Sequence, residues 1–596
     1  MKILFLSLIF FQAGLMSQQN DFVPGWAKKA VWYQIFPERF RNGDTSNDPK
    51  VENIRGSYPH DAESPWQIHP WGSDWYQLQP YEKLNGNNIW FNIQRRRYGG
   101  DLQGILDKLP YLKELGITAL YLNPVFEAPS HHKYDGATYH HVDPNFGPDP
   151  EGDRKLIENE DWNDPKTWVW TKADLLMLQL IKEVHKNGMK IIFDGVFNHM
   201  GINSLAFRDV VKNQKNSKYA DWFKILSWDD PEAGTKFSYS GWWGVKELPE
   251  LNQDENCITA SPKSYIFNIT RRWMDPDGDG STADGIDGWR LDVAFCVKHQ
   301  FWKDWRVHVK SINPEAYLTA EVIDTIPEVQ PYLTGDEFDA VMNYNFAFTS
   351  AEFFIQKKNK LTASQFDKTL KGLRSAFPEC VSYVQQNLFG SHDANRIGSH
   401  IVNADLGSYR NWGEYFGLSK GENKNYNPRK PNEEEYAIQK LFALFQMTYV
   451  GAPMLYYGDE AGMWGANDPD CRKPMVWDDI PYDDERFMPD QTLRSPDKVT
   501  VNKDLLEHYK KLIAIRNTHP ELQTGSIETL VTDDVQDVYG FRRTQNNNVT
   551  DVYLNNSNKP AVLTLKGTYR NLLSGQEFTG EITLHPKQGV ILKKMK

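Results

Sequence analysis

The feature that most constrains the fold of this chain is a regular alternation between short β-branched or aromatic runs and longer amphipathic stretches. In stretches such as 102–115 and 174–187, apolar residues recur every three or four positions, which predicts helices. Strands that alternate with helices build parallel sheets, and eight such units close into a (β/α)8 barrel. We therefore predict an α/β fold with a TIM barrel at its centre. Its strands are predicted at 30–36, 117–122, 189–194, 285–292, 317–322, 338–343, 386–391 and 450–457.

Two parts of the chain depart from this alternation. The connection after the third run, from 199 to about 270, is far longer than the usual few residues, which predicts an inserted subdomain rather than a bare loop. After a helix-like stretch at 503–517, short alternating runs separated by Asn- and Gly-bearing turns predict a small antiparallel β-domain. We expect a barrel over 28–519, with the inserted subdomain at about 200–270, and a C-terminal β-sandwich over 520–596.

The N-terminus is typical of a secretory signal peptide. Lys2 precedes a mostly apolar run that ends near Ser17, and polar residues follow. This run is shorter than the ~20 residues that span a bilayer, and no later segment is long and apolar enough, so we predict no membrane span. We expect 1–17 to be a signal peptide and 18–27 a linker, and the protein to be exported to a periplasm or out of the cell.

Composition excludes some classes of function. The net charge of -12 comes without a basic stripe or a long Lys/Arg run, so nucleic acid is not an expected partner. The four cysteines have spacings that match neither a zinc site nor a disulfide framework, and we predict structural thiols with at most one bridge. The chain is rich in Trp, Tyr and Phe, whose flat rings fill cores and also cover the C–H faces of sugars.

Four of the eight predicted strands end in acidic groups: Asp194, Asp292, Glu321 and Asp393. In a (β/α)8 barrel the C-terminal ends of all strands meet on one face, so these side chains are expected to lie together. A single acid at a strand end can be an accident of a solvated position, but four are difficult to explain by chance. Cleavage of a glycosidic bond needs one acid to protonate the leaving oxygen and one carboxylate to meet the oxocarbenium-like carbon.

The segments around these acids resemble the four signature segments of the α-amylase superfamily of glycoside hydrolases. They read Asp-Gly-Val-Phe-Asn-His at 194–199, Gly-Trp-Arg-Leu-Asp at 288–292, Glu at 321 and His-Asp at 392–393, in the family's order. The resemblance implies that Asp292 is the nucleophile, Glu321 the general acid/base and Asp393 the carboxylate that stabilises the transition state.

The same resemblance implies residues that bind the sugar at the cleavage point. Asp194 belongs to the first segment, and His199 and His392 would donate hydrogen bonds to sugar hydroxyls. Tyr134, in His-Lys-Tyr-Asp at 132–135, would stack beneath the ring. Arg290 would lie on the same strand face as the nucleophile and hold its carboxylate ionised.

The implied reaction has two displacements through a covalent glycosyl-Asp292 intermediate. The nucleophile and the acid would lie roughly 5–5.5 Å apart, and the α-configuration would be retained. Glu321 must be protonated in the first step while Asp292 is ionised. We therefore expect Arg290 to lower the pKa of the nucleophile. We expect nearby carboxylates, chiefly Asp393, to raise the pKa of the acid.

From Val31 onward the sequence is most similar to the neopullulanase and cyclomaltodextrinase group of that superfamily. The similarity is carried by Leu-Pro-Glu-Leu-Asn at 248–252, by 467–473 and by Gln-Ile-Phe-Pro-Glu-Arg-Phe at 34–40. It implies that Asp468 and Arg472 bind a sugar on the non-reducing side of the cut. We predict endo-hydrolysis of α-1,4-glucosidic bonds in starch-like polysaccharides, maltooligosaccharides or pullulan.

Three features depart from that group. The group usually carries an N-terminal β-domain that helps to close the site, whereas the predicted barrel begins within about ten residues of the signal peptide, so we expect a more open cleft and activity on longer chains. Ile323 stands two residues after the acid/base, where the group usually has Trp, and this leaves acceptor-side specificity and transglycosylation open. An aromatic-rich insert at 58–98 is either a glucan-contacting loop or a packed surface flap.

Hard oxygen ligands cluster after the first predicted strand, where the superfamily places a structural calcium. As composition alone the cluster is only an Asx-rich turn. The chemistry of the glycosidase needs no metal. The candidate ligands are Asn42, Asp44, Asn47 and Asp48, with help from Gly99 and Asp101.

A second acidic cluster, Asp275, Asp277 and Asp279, is spaced like the start of an EF-hand loop, but Ile286 stands where that loop needs Glu. A second calcium and a polar turn both remain open.

Three other functions remain open at this point. A non-catalytic sugar-binding relative would keep the barrel but lose catalytic carboxylates, whereas Asp292, Glu321 and Asp393 are all present. A transglycosylase would pass the glycosyl group to another sugar. An exo-acting α-glucosidase would need a pocket closed on the non-reducing side, which Asp468 and Arg472 disfavour. The oligomeric state does not follow from the sequence.

Overall fold

A computed structural model describes residues 21–595 and shows the predicted barrel at the centre of the chain. Its eight strands are parallel, in the order β6-β5-β4-β3-β2-β1-β8-β7. A parallel bridge between Met342 and Gln386 joins the two ends of this sheet and closes the barrel. All eight predicted runs contain a strand. The strands are β1 (Trp32–Ile35), β2 (Ala119–Leu122), β3 (Lys190–Gly195), β4 (Gly288–Leu291), β5 (Tyr317–Ala320), β6 (Ala340–Val341), β7 (Gln386–Asn387) and β8 (Ala452–Tyr456).

Helices surround the barrel and bury their apolar faces against it. The predicted helix at 102–115 is two helices that meet at Lys108, because Pro110 has no N–H to donate and its ring would clash with the carbonyl four residues earlier. The longer helices are Lys172–Lys186, Leu205–Asn213, Ala260–Met274, His299–Ile312, Tyr344–Phe354, Ala363–Ser375, Glu433–Thr448 and Lys503–Thr518. The shorter ones are Pro37–Phe40, Pro80–Lys83, Ile89–Arg95, Leu102–Asp107, Leu109–Leu115, Pro150–Ile157, Ile326–Val329, Glu379–Val384, Ile397–Val402, Trp412–Leu418 and Pro520–Thr524.

The long connection after β3 contains structure of its own. It holds the helix Leu205–Asn213 and a small antiparallel ribbon of Ile225–Ser227 with Ser238–Tyr239. The helix Ala260–Met274 begins inside the interval that the sequence assigned to the insert, so the insert proper ends near Thr259. A second two-stranded ribbon, Glu485–Phe487 with Leu493–Asp497, follows β8.

The C-terminal part is an antiparallel sheet, as the alternation after residue 520 predicted. The sequence suggested a β-sandwich, whereas the six strands described here belong to one sheet, in the order β9-β10-β11-β14-β12-β13. Val552 and Ile591 on one face join the main core, while Val590 and Leu592 on the other face belong to a separate small cluster. The strands are β9 (Ser526–Asp533), β10 (Val538–Gln545), β11 (Asn548–Asn555), β12 (Ala561–Asn571), β13 (Glu577–Leu584) and β14 (Gln588–Lys594).

The described part of the predicted linker packs against the barrel. The Trp26 indole donates to the backbone oxygen of Glu315 at 2.9 Å, and its ring lies against Trp32 and Tyr317. These residues begin β1 and β5, so this contact lies at the end of the barrel opposite the strand ends that carry the acids. The predicted signal peptide at 1–17 lies outside the described residues.

Two expectations about the whole chain can be compared with the described residues. None of their helices has the length and apolar character needed to cross a membrane. Cys257, Cys296, Cys380 and Cys471 are all free thiols, which agrees with the prediction of at most one bridge.

Candidate active site

Arg290 lies at the centre of the predicted site and contacts three of the four strand-end acids. Its Nη1 donates to Asp194 Oδ1 at 2.8 Å and to Asp292 Oδ1 at 2.9 Å. Its Nη2 lies 2.8 Å from Glu321 Oε2. The guanidinium is fully buried, and such a buried charge is stable only when it is paired. Barrel closure therefore brings Asp194, Asp292 and Glu321 around one cation.

The register of three neighbouring strands explains this arrangement. Asp194 on β3 pairs with Arg290 on β4, and Arg290 pairs with Thr319 on β5. Arg290 and Asp292 are two residues apart and so point to the same side of the strand. Glu321 comes directly after β5, where its N–H donates to the backbone oxygen of Leu291 at 2.9 Å.

The turn after the nucleophile candidate presents a further donor to the acid candidate. Val293 has φ 39° and ψ 46°, a left-handed conformation that β-branched residues rarely adopt. Its N–H donates to Glu321 Oε2 at 3.1 Å. Strained backbone of this kind is found at functional sites, where the surrounding structure holds it in place. The strain here fixes one oxygen of Glu321.

The electrostatics of the carboxylates differ from the sequence expectation. Burial raises the pKa of Asp292 well above its usual range, and although Arg290 opposes this, Glu321 and Asp194 raise the pKa further. Burial also raises the pKa of Asp194 against the effect of Arg290. Three carboxylates around one guanidinium carry excess negative charge, and burial together with this crowding favours the protonated form of Asp292.

Asp393 lies beside this cluster in a second group of charges. Arg472 donates through Nη2 to Asp393 Oδ1 at 2.9 Å, and its Nη1 lies 2.8 Å from Asp468 Oδ1. The Nε of Arg472 donates to the backbone oxygen of His392 at 2.7 Å. The sequence analysis predicted that Asp393 acts on Glu321 by repulsion. The charged partner of Asp393 is Arg472, and its other contact is His392, whose Nε2 lies 3.1 Å from Asp393 Oδ2. Arg472 thus connects the ends of β7 and β8.

The two histidines of the site are neutral. Burial lowers the pKa of His392 well below its usual range, and burial lowers that of His199 to about 4. The amide of Gln34 on β1 lies 3.1 Å from His392 Nδ1 and can donate to it, which leaves the proton on Nε2, facing Asp393. His199 Nε2 lies 3.1 Å from the backbone oxygen of Tyr134, to which it can donate.

Tyr134 lies where a sugar platform was predicted. Its ring stacks on His392 with centroids 5.1 Å apart and planes 12° apart. Its hydroxyl donates to Asp194 Oδ2 at 2.9 Å, and Tyr121 on β2 donates to the same oxygen at 2.6 Å. All the predicted catalytic and substrate residues therefore lie on one face of the barrel, with Asp468 and Arg472 at the β8 side.

Sequence reasoning missed several residues that position this site. Gln34, Tyr121 and Asn123 lie in or directly after β1 and β2, and the amide of Asn123 donates to the Tyr134 hydroxyl at 2.9 Å. A polar group inside an otherwise apolar barrel strand is the signal that could have identified Gln34. The Val293 N–H had no signal in the sequence because it acts through the backbone.

The aromatic insert packs as a flap that supports the loop after β8. Trp75 and Tyr76 are buried in a small core of the insert. The Trp75 indole donates to Asp470 Oδ1 at 2.6 Å, and the Trp71 indole donates to the backbone oxygen of Met475 at 3.0 Å. For these rings the geometry favours the packed flap over the glucan-contacting loop, and the flap holds the segment that carries Asp468 and Arg472.

The predicted calcium ligands also lie together, and their donor set fits a hard cation. The side-chain oxygens Oδ1 of Asn42 and Asn47 are buried and have no hydrogen-bond partner. Burial raises the pKa of Asp48 to about 6, and although the Asn42 amide opposes this, the charge of Asp101 contributes to the rise. A Cβ on Gly99 would lie 2.1 Å from Asp48 Oδ1, so a side chain there would fill the space between the ligands.

Asp101 has a second role in the same loop. Its carboxylate accepts from the N–H groups of Gly43 at 3.0 Å and Asp44 at 2.9 Å and caps the helix Leu102–Asp107 through Gly104 N at 2.6 Å. The loop is therefore folded around Asp101.

In the second acidic cluster, the donor oxygens of Asp275, Asp277 and Asp279 lie within 4.8 Å of one another. Asp277 Oδ1 accepts from Asp279 N at 3.1 Å, and Asp279 Oδ1 accepts from Ser281 N at 2.6 Å. These bonds are those of a polar turn.

Comparison with known proteins identifies the family. Residues 34–163, 171–413 and 425–525 match the family model described as "Alpha amylase, catalytic domain". The chain belongs to the α-amylase family. It is therefore a glycoside hydrolase of a family that acts on α-glucans.

Individual relatives support the similarity to one branch of this family. Neopullulanase 2 of Thermoactinomyces vulgaris is 35% identical over 600 residues, which cover 98% of this chain and 80% of that protein. A cyclomaltodextrinase of Geobacillus thermopakistaniensis is 34% identical over 565 residues, covering 94% of this chain and 75% of that protein. Among solved structures, the type III pullulan hydrolase from Thermococcus kodakarensis has a TM-score of 0.70 at 26% identity, covering 96% of this chain and 82% of that one.

Proposed function

We propose that this chain is a retaining, endo-acting hydrolase of α-1,4-glucosidic bonds in starch-like polysaccharides, maltooligosaccharides or pullulan. The observation that carries the proposal is that Asp292 and Glu321 bind the two terminal nitrogens of one buried guanidinium, Arg290. Two carboxyl groups held this close together suit a retaining enzyme, in which one of them attacks the sugar directly. An inverting enzyme needs a wider gap between them to hold a water molecule. The names of the relatives, neopullulanase and cyclomaltodextrinase, support the substrate class.

The hydrogen bonds assign separate tasks to the carboxyl oxygens. Asp292 Oδ1 is bound by Arg290, which leaves Oδ2 to attack the anomeric carbon. Glu321 Oε2 forms an ion pair with Arg290 and accepts from the Val293 N–H, which leaves Oε1 to carry the proton to the leaving oxygen. In the second step the same oxygen of Glu321 takes a proton from water, and the water attacks the glycosyl-Asp292 ester.

The proton for the first step comes from the carboxylate cluster. Burial raises the pKa of Asp292, and the charges of Glu321 and Asp194 raise it further, so a proton on this carboxyl group is favoured in the free enzyme and can pass to Glu321. Positive charge that develops on the sugar favours an ionised Asp292, so in the transition state the proton belongs on Glu321. Asp393, held by Arg472 and His392, would stabilise that charge.

The substrate range and stereochemistry are tested together by incubating the protein with maltoheptaose, pullulan and a cyclodextrin. We expect cleavage within the maltoheptaose chain, panose from pullulan, and a first product whose new reducing end is the α-anomer in proton NMR. Release of glucose alone would favour an exo-α-glucosidase, and products longer than the substrate would favour a transglycosylase. No cleavage of any α-glucan, or a β-anomer formed first, would contradict the proposal.

We also propose a structural calcium bound by Asn42, Asp44, Asn47, Asp48 and Asp101, with Gly99 contributing through its backbone. The unpaired amide oxygens and the crowded carboxylates support this assignment. The ion would stabilise the loop after β1 by neutralising these charges. For location, we propose export, supported by the apolar run before Ser17, and an exported protein that lacks 1–17 is the expected mature form.

A further inference from the structure

The aromatic insert binds a buried acid that lies between the two residues assigned to the non-reducing side. Asp470 follows Asp468 by two residues and, with Arg472, belongs to one turn of 3-10 helix. The Arg472 side chain reaches the cleft, whereas the Asp470 side chain is fully buried and accepts from the Trp75 indole at 2.6 Å. One hydrogen bond therefore connects the insert to the segment that carries both sugar-binding candidates.

The residues on both sides of Trp75 are bound to the two-stranded ribbon that follows β8. Asp74 Oδ2 accepts from the backbone N–H of Arg486 at 2.6 Å. The Gln491 side chain donates to the backbone oxygen of Tyr76 at 2.7 Å. The Trp75 ring is also buried in the small core of the insert. Its indole N–H therefore has a fixed position, and a donor fixed in this way can set the position of the group that it binds.

A segment that follows β7 also encloses this acid. The Asn467 side chain donates to the backbone oxygen of Phe416 at 2.6 Å. A Cβ on Gly421 would lie 2.2 Å from Asp470 Oδ2, so glycine is needed where this backbone approaches the carboxyl group. Burial raises the pKa of Asp470 to about 7, although the hydrogen bond from Trp75 opposes the rise. A buried acceptor that loses its donor costs about 1–3 kcal/mol, so without Trp75 the turn is expected to shift.

We propose that Trp75 is a positioning residue for the non-reducing side of the substrate, because through Asp470 it fixes Asp468 and Arg472. This inference rests on the proposed function and deepens it, since the insert would set how strongly a second glucose unit is bound. Within residues 21–595 the Trp75 side chain donates only to Asp470, so its effect reaches the sugar through the loop after β8. If the insert only stabilised the fold, all substrates would lose activity together.

The test compares two glycosyl fluorides that differ only on the non-reducing side. α-Glucosyl fluoride fills the site at the cleavage point, and α-maltosyl fluoride adds the second glucose unit that Asp468 and Arg472 would bind. The ratio of kcat/KM for the maltosyl substrate to kcat/KM for the glucosyl substrate measures that binding. Trp75→Phe keeps a ring but removes the donor. We expect it to lower this ratio about ten-fold, or ~1.4 kcal/mol, and to leave kcat/KM for α-glucosyl fluoride within about two-fold.

Variants of Asp470 test the other partner of the hydrogen bond. Asp470→Ala removes the acceptor and should lower the ratio to the same extent as Trp75→Phe. The double variant should lose no more than either single variant, because both changes remove one interaction. Asp470→Asn should keep the wild-type ratio, since its amide oxygen can still accept from the indole. Asp468→Ala should lower the ratio at least as much as Trp75→Phe, because it removes a group that would bind the sugar directly.

Trp66→Phe is the matched control, because the Trp66 indole donates within the insert, to the backbone oxygen of Arg95 at 2.8 Å. It should match the wild type on both fluorides, and melting temperatures check the fold of every variant. A wild-type ratio in Trp75→Phe would overturn the inference. Equal losses on both fluorides in Trp75→Phe and Asp470→Ala would also overturn it, since they indicate a general loss of folded enzyme. A wild type that cleaves neither fluoride nor any α-glucan would overturn the proposed function, and this inference with it.

Discussion

Arg290 has more contacts in the site than its sequence motif implies. The motif placed it beside Asp292, but the structure shows that one guanidinium also holds Asp194 and Glu321. Because the cation is shared, removing any one carboxylate changes the charge balance felt by the others. Loss of activity alone therefore does not distinguish the roles of these residues, and substrates whose leaving groups differ in their need for a proton must be compared.

Changing the two candidate catalytic acids separates their roles. Asp292→Asn removes the attacking oxygen, so we expect kcat/KM to fall by about 1,000-fold or more on every substrate. Glu321→Gln should lose about 100- to 10,000-fold on maltoheptaose, whose leaving oxygen needs a proton. With α-maltosyl fluoride the same substitution should lower the rate of the first step far less, because fluoride leaves with little acid assistance.

Both variants preserve shape and hydrogen-bonding capacity, so circular dichroism and the melting temperature should show little change. Equal losses on the two substrates for Glu321→Gln would contradict the assignment of the acid, and a mild effect of Asp292→Asn would contradict that of the nucleophile.

The sequence predicted the acids of the site but not the contacts that position them. Asp292 and Glu321 could be found because a strand end and a family motif coincide there. Tyr121 could not, because its partner Asp194 is on another strand and the contact depends on barrel register. The raised pKa of Asp292 was also missed, since it arises from burial and from carboxylates that are distant in the chain.

A buried network of charges joins the segment after β2 to the helix Lys172–Lys186. His141 Nδ1 lies 2.8 Å from Asp174 Oδ2, and its Nε2 lies 2.8 Å from Glu160 Oε2. Burial lowers the pKa of His141, but Asp174 and Glu160 outweigh this and raise it to about 9. His141 is therefore a buried cation between two carboxylates, with Arg272 also bound to Asp174.

This network predicts a pH-dependent part of the stability. The pKa of His141 is about 9 in the folded chain and about 6.5 unfolded, so its stabilisation is complete below pH ~6.5 and is lost as the pH rises through ~9. His141→Gln should lower the free energy of unfolding by about 3 kcal/mol at pH 6. Urea unfolding of both proteins at pH 6 and 9.5 measures this, and a difference that does not shrink at the higher pH would contradict it.

The loop after β1 makes a separate prediction about metal removal. Its unpaired amide oxygens and the Asp48 carboxylate are expected to bind calcium, and a ligand present at 100 times its Kd stabilises by about 2.7 kcal/mol. Chelation with EGTA should therefore lower the melting temperature by several degrees, and calcium should restore it. Activity measured well below that temperature should change little.

Asp48→Ala should have a lower melting temperature that calcium does not raise. A wild-type melting temperature that EGTA leaves unchanged would contradict this site.

At the scale of the whole molecule, sequence periodicity predicted the barrel strands but not every helix boundary. All eight barrel strands were predicted, because alternating strands and helices admit few closed arrangements. The helix break at Lys108 and the start of the helix Ala260–Met274 were missed, since local backbone sterics and packing decide them. The contact between Trp242 and Cys296 was not predicted from the sequence because the two residues lie in different loops.

Asp292, Glu321 and Asp393 lie on one face of the barrel, and the proposed mechanism requires Asp292 to form a bond to the sugar. The most direct measurement treats the Glu321→Gln variant with α-maltosyl fluoride. This variant can form the glycosyl-enzyme but lacks the base that would activate water to hydrolyse it. Digestion and mass spectrometry of the trapped protein should show one added maltosyl group on the peptide that contains Asp292. A maltosyl group on a peptide with another carboxylate, or steady fluoride release without any adduct, would contradict it.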